Sequence, residues 1–374
     1  MIFREKIEKR DLFFLIAVIA VSIGLFFLPT GFEKPQDNMR RAKGLVLEVD
    51  NSTVQNFTIV KQGDQGVTLE ILNGKFKGEI VTANNVLLGQ LELDTIYTVG
   101  DKALLTLQLD ETGSKILHTN VVDVYRINIE LILLALFVLL LLVYAGWTGV
   151  KAVFSFLFTG VLIWKVLLPG FLKDFNPIFL SLGIVLALTA VIVFLVGGIN
   201  RKGFVAFLGA TAGVVVTMLL SLLFGSLFRV HGAVKQFSGT LLYSGFANIN
   251  LTQIFLSGIF LASSGAVMDI AMDVSASMRE VVEKHPQISH FDLMKSGFSV
   301  GRAVVGTMTT TLLLAYSGGY SALLMVFMAQ GTPTINIFNI TYVAAEILHT
   351  LVGSFGLVMV APFTAVIGGF IFTK

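Results

Sequence analysis

Two carboxylates four residues apart, Asp269 and Asp273, follow the apolar run Ile254–Leu261. Side chains at this spacing lie on one face of a helix, so both acids would meet the same neighbour. A charge at the centre of a bilayer costs about 2.5–3.5 kcal/mol on insertion scales, so acids are rare in membrane spans. Hard cations prefer oxygen ligands, and close carboxylates also favour a titrating pair. The spacing therefore indicates a cation or proton site, with Ser264 and Thr307 as further oxygen donors.

Arg302, in the next apolar segment, offers a second interpretation of these acids. An arginine at the same membrane surface would neutralise Asp269 in a structural ion pair, because long charged side chains reach the interface at little cost. The same guanidinium would otherwise hold an anionic substrate. The sequence favours pairing over substrate binding.

Glu346 and His349 form another pair, three residues apart on one face of the last segment. Glu-x-x-His is a metal-binding spacing in carboxylate bundles, and a histidine also transfers protons near neutral pH. A structural hydrogen-bonded pair is the alternative, and the metal stays unassigned. In a simple topology this pair lies in the membrane leaflet opposite Asp269, so the two acidic positions would mark two ends of one pathway.

The composition of the chain indicates which structural elements hold these residues in place. Of 374 residues, 55% are hydrophobic and 13% are charged, against about 25% charged in soluble domains. This balance predicts a polytopic α-helical membrane protein, with apolar runs of about 20 residues as its spans. We place eight such spans, at 12–28, 127–145, 152–168, 178–199, 204–228, 251–271, 300–328 and 341–372. The last two are long enough to be broken, at Tyr316–Gly319 and at Gly353–Gly356 or Pro362.

Residues 40–125 differ from the rest because they are polar and alternate with a period of two. Five or six short strands separated by turn residues predict a small all-β domain, an OB-like barrel inserted after the first span. The expected domains are thus a signal anchor at 1–32, this β-domain, and a helical membrane domain at 126–374. Within the last, residues 271–300 predict an amphipathic helical hairpin.

The basic residues predict how the chain crosses the membrane. Residues 4–10 are basic and precede an apolar run without a good cleavage site, which favours an uncleaved signal anchor. With the N-terminus inside, twelve lysines and arginines fall on the inner side and four in short outer loops. This asymmetry predicts an inner N-terminus and an extracytoplasmic β-domain.

Several function classes are disfavoured. The chain has no cysteine, which excludes disulfides, thiolate metal sites and cysteine nucleophiles. It has no P-loop, dinucleotide fingerprint, zincin or nucleophile-elbow motif, so neither a cofactor nor an enzyme activity is expected. An intramembrane aspartyl protease would need acids that face each other, whereas Asp269 and Asp273 share one helix. The net charge of +2 gives no indication of nucleic acid. The expected partners are the bilayer, a small solute or ion, and another copy or an envelope protein.

Three groups of residues carry a family resemblance: Ser264–Asp273 with Ser277–Met278, Gly301–Arg302 with Gly306–Thr309, and Glu346–Leu348 with Gly353–Val358 and Ala361–Ala365. Together with the anchor and the β-domain, they make the whole chain resemble the YibE/F family of bacterial membrane proteins. The chain departs from the family pattern at Ala303 and Thr310, where an acid and an asparagine would be expected. The resemblance implies a bacterial cytoplasmic membrane protein and assigns no activity.

Two functions from different classes follow. Acids within membrane spans and interrupted helices favour a transporter or channel-like permease for a small solute or ion. The alternative is a non-transporting envelope sensor, scaffold or assembly factor that acts through its outer β-domain.

Overall fold

The computed structural model of this protein describes residues 9–33 and 38–373. Its chain forms two compact units. One comprises Glu33–Leu140, and the other combines the N-terminal segment up to Phe32 with Leu141–Lys374. Some positions used above to orient the chain lie outside the described residues: Arg4, Lys6 and Lys374.

The first unit is built around a five-stranded barrel. Six strands are present: β1 (Met39–Asp50), β2 (Gln55–Phe57), β3 (Val60–Ile71), β4 (Ile80–Leu88), β5 (Lys102–Leu109) and β6 (Ile116–Val124). The order β1-β5-β6-β4-β3 closes through pairing of β1 with β3, while β2 only extends β3 as a hairpin. All pairs are antiparallel except β4–β6. This closed topology is compatible with the predicted OB-like barrel.

The barrel core follows from the period-two alternation of its strands. Leu69 and Ile71 of β3 and Leu105 and Leu107 of β5 are buried, while the residues between them are partly exposed. Gln65 is also fully buried, and its side-chain amide bonds both the N–H and the carbonyl of Tyr97. The polar side-chain atoms of Gln65 are therefore paired, as burial requires.

Helices make up the rest of the chain. They are α1 (Lys9–Phe27), α2 (Ile127–Leu162), α3 (Leu168–Leu172), α4 (Pro177–Gly197), α5 (Arg201–Phe228), α6 (Ser238–Tyr243), α7 (Leu251–Lys284), α8 (His290–Ser317), α9 (Ser321–Ala329), α10 (Thr334–Asn339) and α11 (Thr341–Phe372). A π-helical turn, Ile163–Leu167, joins α2 to α3. Within the described residues, seven helical stretches are long and apolar enough to cross a membrane.

The predicted interruptions have different outcomes. Helix α2 contains a non-helical residue, Gly146, at φ 52° and ψ −125°, which divides one 46-residue stretch near the predicted boundary of two spans. Helix α8 ends at Ser317 and gives way to a 3₁₀ turn at Gly318–Tyr320, as the Gly-Gly pair predicts. In contrast, α11 runs unbroken through Gly353–Gly356 and Pro362.

Three helices of the second unit, α5, α7 and α8, pack around α11 through small residues. A Cβ added at Gly356 would clash with Thr217 of α5, and one at Gly213 would lie 3.0 Å from Val360. On the other side, a Cβ at Gly301 of α8 would lie 2.7 Å from Ala361. Such small residues let helix backbones approach closely, the packing mode typical of helices in lipid.

Two polar contacts hold α1 against the second half of α2. Lys151 Nζ lies 3.3 Å from Asp11 Oδ2, and the two side chains are only 7% and 17% exposed. Towards the other end of α1, Lys165 Nζ donates to the Leu28 carbonyl at 3.0 Å. The two helices therefore run in the same direction.

The predicted hairpin is formed by the end of α7 and the start of α8. Ser289 caps α8, because its hydroxyl accepts a hydrogen bond from the Asp292 backbone N–H at 3.2 Å. Met278 of α7 and Leu293 of α8 are fully buried, which fixes the two arms against the bundle.

Candidate functional site

An ion pair joins the loop after α5 to the start of α11. Lys235 Nζ donates to Glu346 Oε1 at 2.5 Å, and the two side chains are 39% and 14% exposed. A 3₁₀ turn at Gly232–Val234 leads into Lys235, whose ammonium also lies over the rings of Phe255 and Tyr320. Lys235 of this loop thus contacts one carboxylate and two aromatic rings of the helical bundle.

His349 lies one turn further along α11. Its Nδ1 is 3.9 Å from Glu346 Oε2, and its ring stacks on Tyr316 with centroids 4.2 Å apart. His349 is 9% exposed, yet neither ring nitrogen finds a hydrogen-bond partner among the described residues, nor does the Tyr316 hydroxyl. Buried polar groups are normally paired, so these three atoms require an explanation. We call Lys235, Tyr316, Tyr320, Glu346 and His349 the histidine cluster.

The histidine cluster separates two apolar cavities, each of about 420 Å³. Lys235 and His349 line the first cavity, together with residues of α3, α7 and the loop after α5. Glu346 and both tyrosines line the second cavity, between α8, α9, α10 and α11. Because the two ends of the ion pair line different cavities, the pair forms a polar partition between them.

Asp269 and Asp273 lie elsewhere, on an exposed stripe of α7 that also contains Ala262 and Gly265. Neither carboxylate has a hydrogen bond or ion pair to another residue that the structure describes. The spacing of this stripe is that of one helical face, as predicted.

Arg302 does not neutralise Asp269. Gly297 of α8 packs on Met278 of α7 and Gly301 lies beside Val274, so Arg302 is level with Asp273. Arg302 is exposed and forms no ion pair within residues 9–33 and 38–373.

The predicted hydroxyl donors do not gather around the acids either. Ser264 is buried and its hydroxyl donates to the Leu261 carbonyl at 2.7 Å. Thr307 donates to the Val304 carbonyl at 2.9 Å. Both hydroxyls are therefore used within their own helices. In the described part of the chain, no group of three or more His, Asp or Glu side chains is arranged to hold a metal ion.

The two polar regions lie at different depths of the bundle. By the same register, Asp269 is level with Gly306 of α8. Tyr316, which stacks on His349, follows ten residues later, or about 15 Å along the helix at 1.5 Å per residue.

Lys235 is not among the residues that the sequence pattern singled out. One signal would have found it. Basic residues are depleted from the outer loops of membrane proteins, so a lysine in a segment predicted to be an outer loop, together with a glutamate in a predicted span, indicates an ion pair.

Comparison with known proteins identifies the family. The YibE/F-like protein model matches residues 133–374, and the YibE/F family N-terminal domain model matches residues 38–124. No curated protein and no solved structure matches the chain. Since the two models cover nearly the whole sequence, this chain belongs to the YibE/F family.

Proposed function

We propose that this protein is a multi-pass membrane permease for a small solute or ion, and that its pathway passes the histidine cluster. The observation that carries the proposal is the Lys235–Glu346 ion pair between two cavities. Ionisable side chains inside helical membrane bundles are costly, and they commonly mark pathways for substrates, ions or protons.

Exposed apolar surface supports a membrane location. In the first half of α2, Ile129, Leu133 and Leu140 are 70%, 68% and 69% exposed. Such a continuous apolar surface is unfavourable in water and suits hydrocarbon. The family models are consistent with this location, since they match both the helical unit and the barrel.

Polar contacts at the two ends of α1 support the proposed order of membrane crossings. Asp11 meets Lys151 at one end, and Leu28 meets Lys165 at the other. These contacts favour two spans that cross in the same direction, while the charge asymmetry favours an inner N-terminus. We therefore propose a bacterial cytoplasmic membrane location with the N-terminus inside and the barrel outside.

The ion pair would act as a gate. While Lys235 and Glu346 are bound to each other, a polar bridge separates the two cavities. A solute that binds either partner, or a proton that neutralises Glu346, would weaken the bridge. The unpaired nitrogens of His349 would then offer the next polar contact. Asp269, about 15 Å deeper, would be the next charged position. Since no nucleotide-binding motif is present, an ion gradient or simple diffusion would drive movement.

The test is a flux assay with purified protein in liposomes. Proton, Na⁺, K⁺ and Mg²⁺ gradients, osmotic swelling by small neutral solutes and uptake of labelled organic anions, including a monocarboxylate, would be followed with wild type, Glu346→Gln, Lys235→Met and Asp269→Asn. Glu283→Gln is the matched control, because Glu283 lies in a surface pair with Arg279 and is 58% exposed. We expect flux of at least one probe that changes in the cluster variants and not in the control. No flux above empty liposomes for every probe would refute the proposal and favour the envelope scaffold.

A further inference from the structure

We infer that the first cavity binds an amphiphilic monocarboxylate, a molecule with one apolar chain or ring and one carboxylate. This inference rests on the proposed function in that it names a substrate class for the same pathway. It goes further because it assigns a charge, a polarity pattern and a site to the ligand.

The cavity wall is apolar over most of its surface. Leu168 and Phe171 of the α3 region and Ile254 and Phe255 of α7 supply much of it. The cavity volume of about 420 Å³ lies within the range of roughly 300–1,000 Å³ that is usual for small-molecule sites, which suits a medium-length chain. Ligand cavities of this kind are mostly apolar and contain a few polar groups that orient the ligand.

The polar groups of this cavity are concentrated in Lys235, Ser238 and His349, and no carboxylate lines it. His349 is nine-tenths buried and lines the cavity, and its two ring nitrogens are buried without a partner in the described chain. A neutral imidazole carries one N–H, which can donate to a ligand oxygen. The lysine adds a positive charge beside it, so an anionic oxygen is the complementary head group.

The Lys235–Glu346 pair indicates how the carboxylate of a ligand would bind in the first cavity. The ammonium already binds a carboxylate at 2.5 Å, and that carboxylate belongs to the opposite cavity. A ligand carboxylate entering the first cavity would compete with Glu346 for the same ammonium. Binding of the ligand would thereby loosen the partition, which couples occupancy of the cavity to opening of the gate.

This competition predicts opposite effects for the two members of one ion pair. Lys235→Met keeps the apolar stem but removes the charge, so octanoate should bind roughly ten- to a hundredfold more weakly, the usual range for a lost charge-assisted hydrogen bond. Glu346→Gln removes the competing carboxylate, so octanoate should bind several-fold more tightly. A purely structural ion pair would predict weaker binding in both variants.

The experiment measures equilibrium binding of radiolabelled octanoate to the full-length protein in lipid nanodiscs, with empty nanodiscs subtracted. Unlabelled octanol, octylammonium and acetate serve as competitors that change the head group, the charge or the chain. We expect competition by octanoate well above that by the other three. A phospholipid with an anionic head, varied in the nanodisc, distinguishes a lipid occupant, because it would lower octanoate binding as its fraction rises.

A cavity-filling variant keeps the test independent of the ion pair. Gly258 lines the cavity, and a Cβ added there meets no atom within 4 Å. Gly258→Phe should abolish octanoate binding, whereas Gly160→Phe, at a position on α2 where an added Cβ also meets no atom within 4 Å, should leave it unchanged. Equal octanoate and octanol binding, displacement by anionic lipid alone, or unaltered binding in Gly258→Phe would overturn the inference. Ion flux that persists without octanoate binding would overturn only the inference, and not the permease.

Discussion

The buried pair between Asp11 and Lys151 allows a quantitative prediction. At 3.3 Å and an effective dielectric constant of about 20, two unit charges attract by about 5 kcal/mol. Desolvation of two side chains that are only 7% and 17% exposed offsets most of this gain. The intact pair is therefore close to neutral in its net contribution, whereas a single remaining charge carries an uncompensated desolvation cost.

Lys151→Met should destabilise the protein by about 3 kcal/mol, because it leaves the Asp11 carboxylate buried and unpaired. At roughly 2–4 °C for each kcal/mol in domains of 150–250 residues, this corresponds to about 6–12 °C in Tm. Asp11→Leu alone should cost a similar amount, whereas the double variant should return to within about 1 kcal/mol of wild type.

Tryptophan fluorescence of the detergent-purified protein would report the transition, since Trp147 and Trp164 lie in the segment that contacts α1. Arg279→Met is the control, because the Arg279–Glu283 pair is 40% and 58% exposed and should contribute less than about 1 kcal/mol. A Lys151→Met variant that melts with wild type, or a double variant that melts below both singles, would refute the reasoning.

Two further predictions concern helix packing and the barrel. Gly356→Ala should lower Tm by the equivalent of about 1–3 kcal/mol, because the added methyl would clash with Thr217, whereas Gly160→Ala, with open space around it, should have no such effect. In the barrel, Asp94 accepts backbone hydrogen bonds from Leu88, Gly89 and Gln90, which hold its pKa below the ordinary value despite opposing desolvation. The folded-state pKa is below the unfolded one, so this stabilisation is present above about pH 4 and is lost as the pH falls through the lowered value. The hydrogen-exchange rate of the backbone amides of residues 88–94, corrected for its intrinsic pH dependence, should rise in wild type as the pH falls through that range. In Asp94→Asn the rate should be high at every pH. Parallel pH profiles of the two proteins would contradict the assignment.

Local sequence signals predicted the elements that local physics determines. Alternation in segments such as residues 67–71 is enough to predict a half-buried strand, and the barrel follows from several such strands with turns between them. The break after Ser317 follows from two consecutive glycines.

Other features depend on tertiary packing, which local sequence patterns do not predict. Helix α11 continues through Pro362, where its neighbours Val360 and Ala361 are held against Gly213 and Gly301, so packing overrides a strong local breaker. The separation of Arg302 from Asp269 depends on the register of α7 against α8, which no local pattern encodes. Lys235 and Glu346 are 111 residues apart, and only the folded bundle brings them together.

The contact between Asp11 and Lys151 also sets an order of assembly during synthesis. The two residues are separated by 140 positions. At about 5–20 residues per second, the ribosome adds Lys151 roughly 7–28 s after Asp11. All strands of the barrel are encoded within that interval. The first helix therefore acquires its counter-charge only after the whole barrel has been synthesised but before α4 to α11 have been made, so its docking can precede the assembly of the rest of the helical unit.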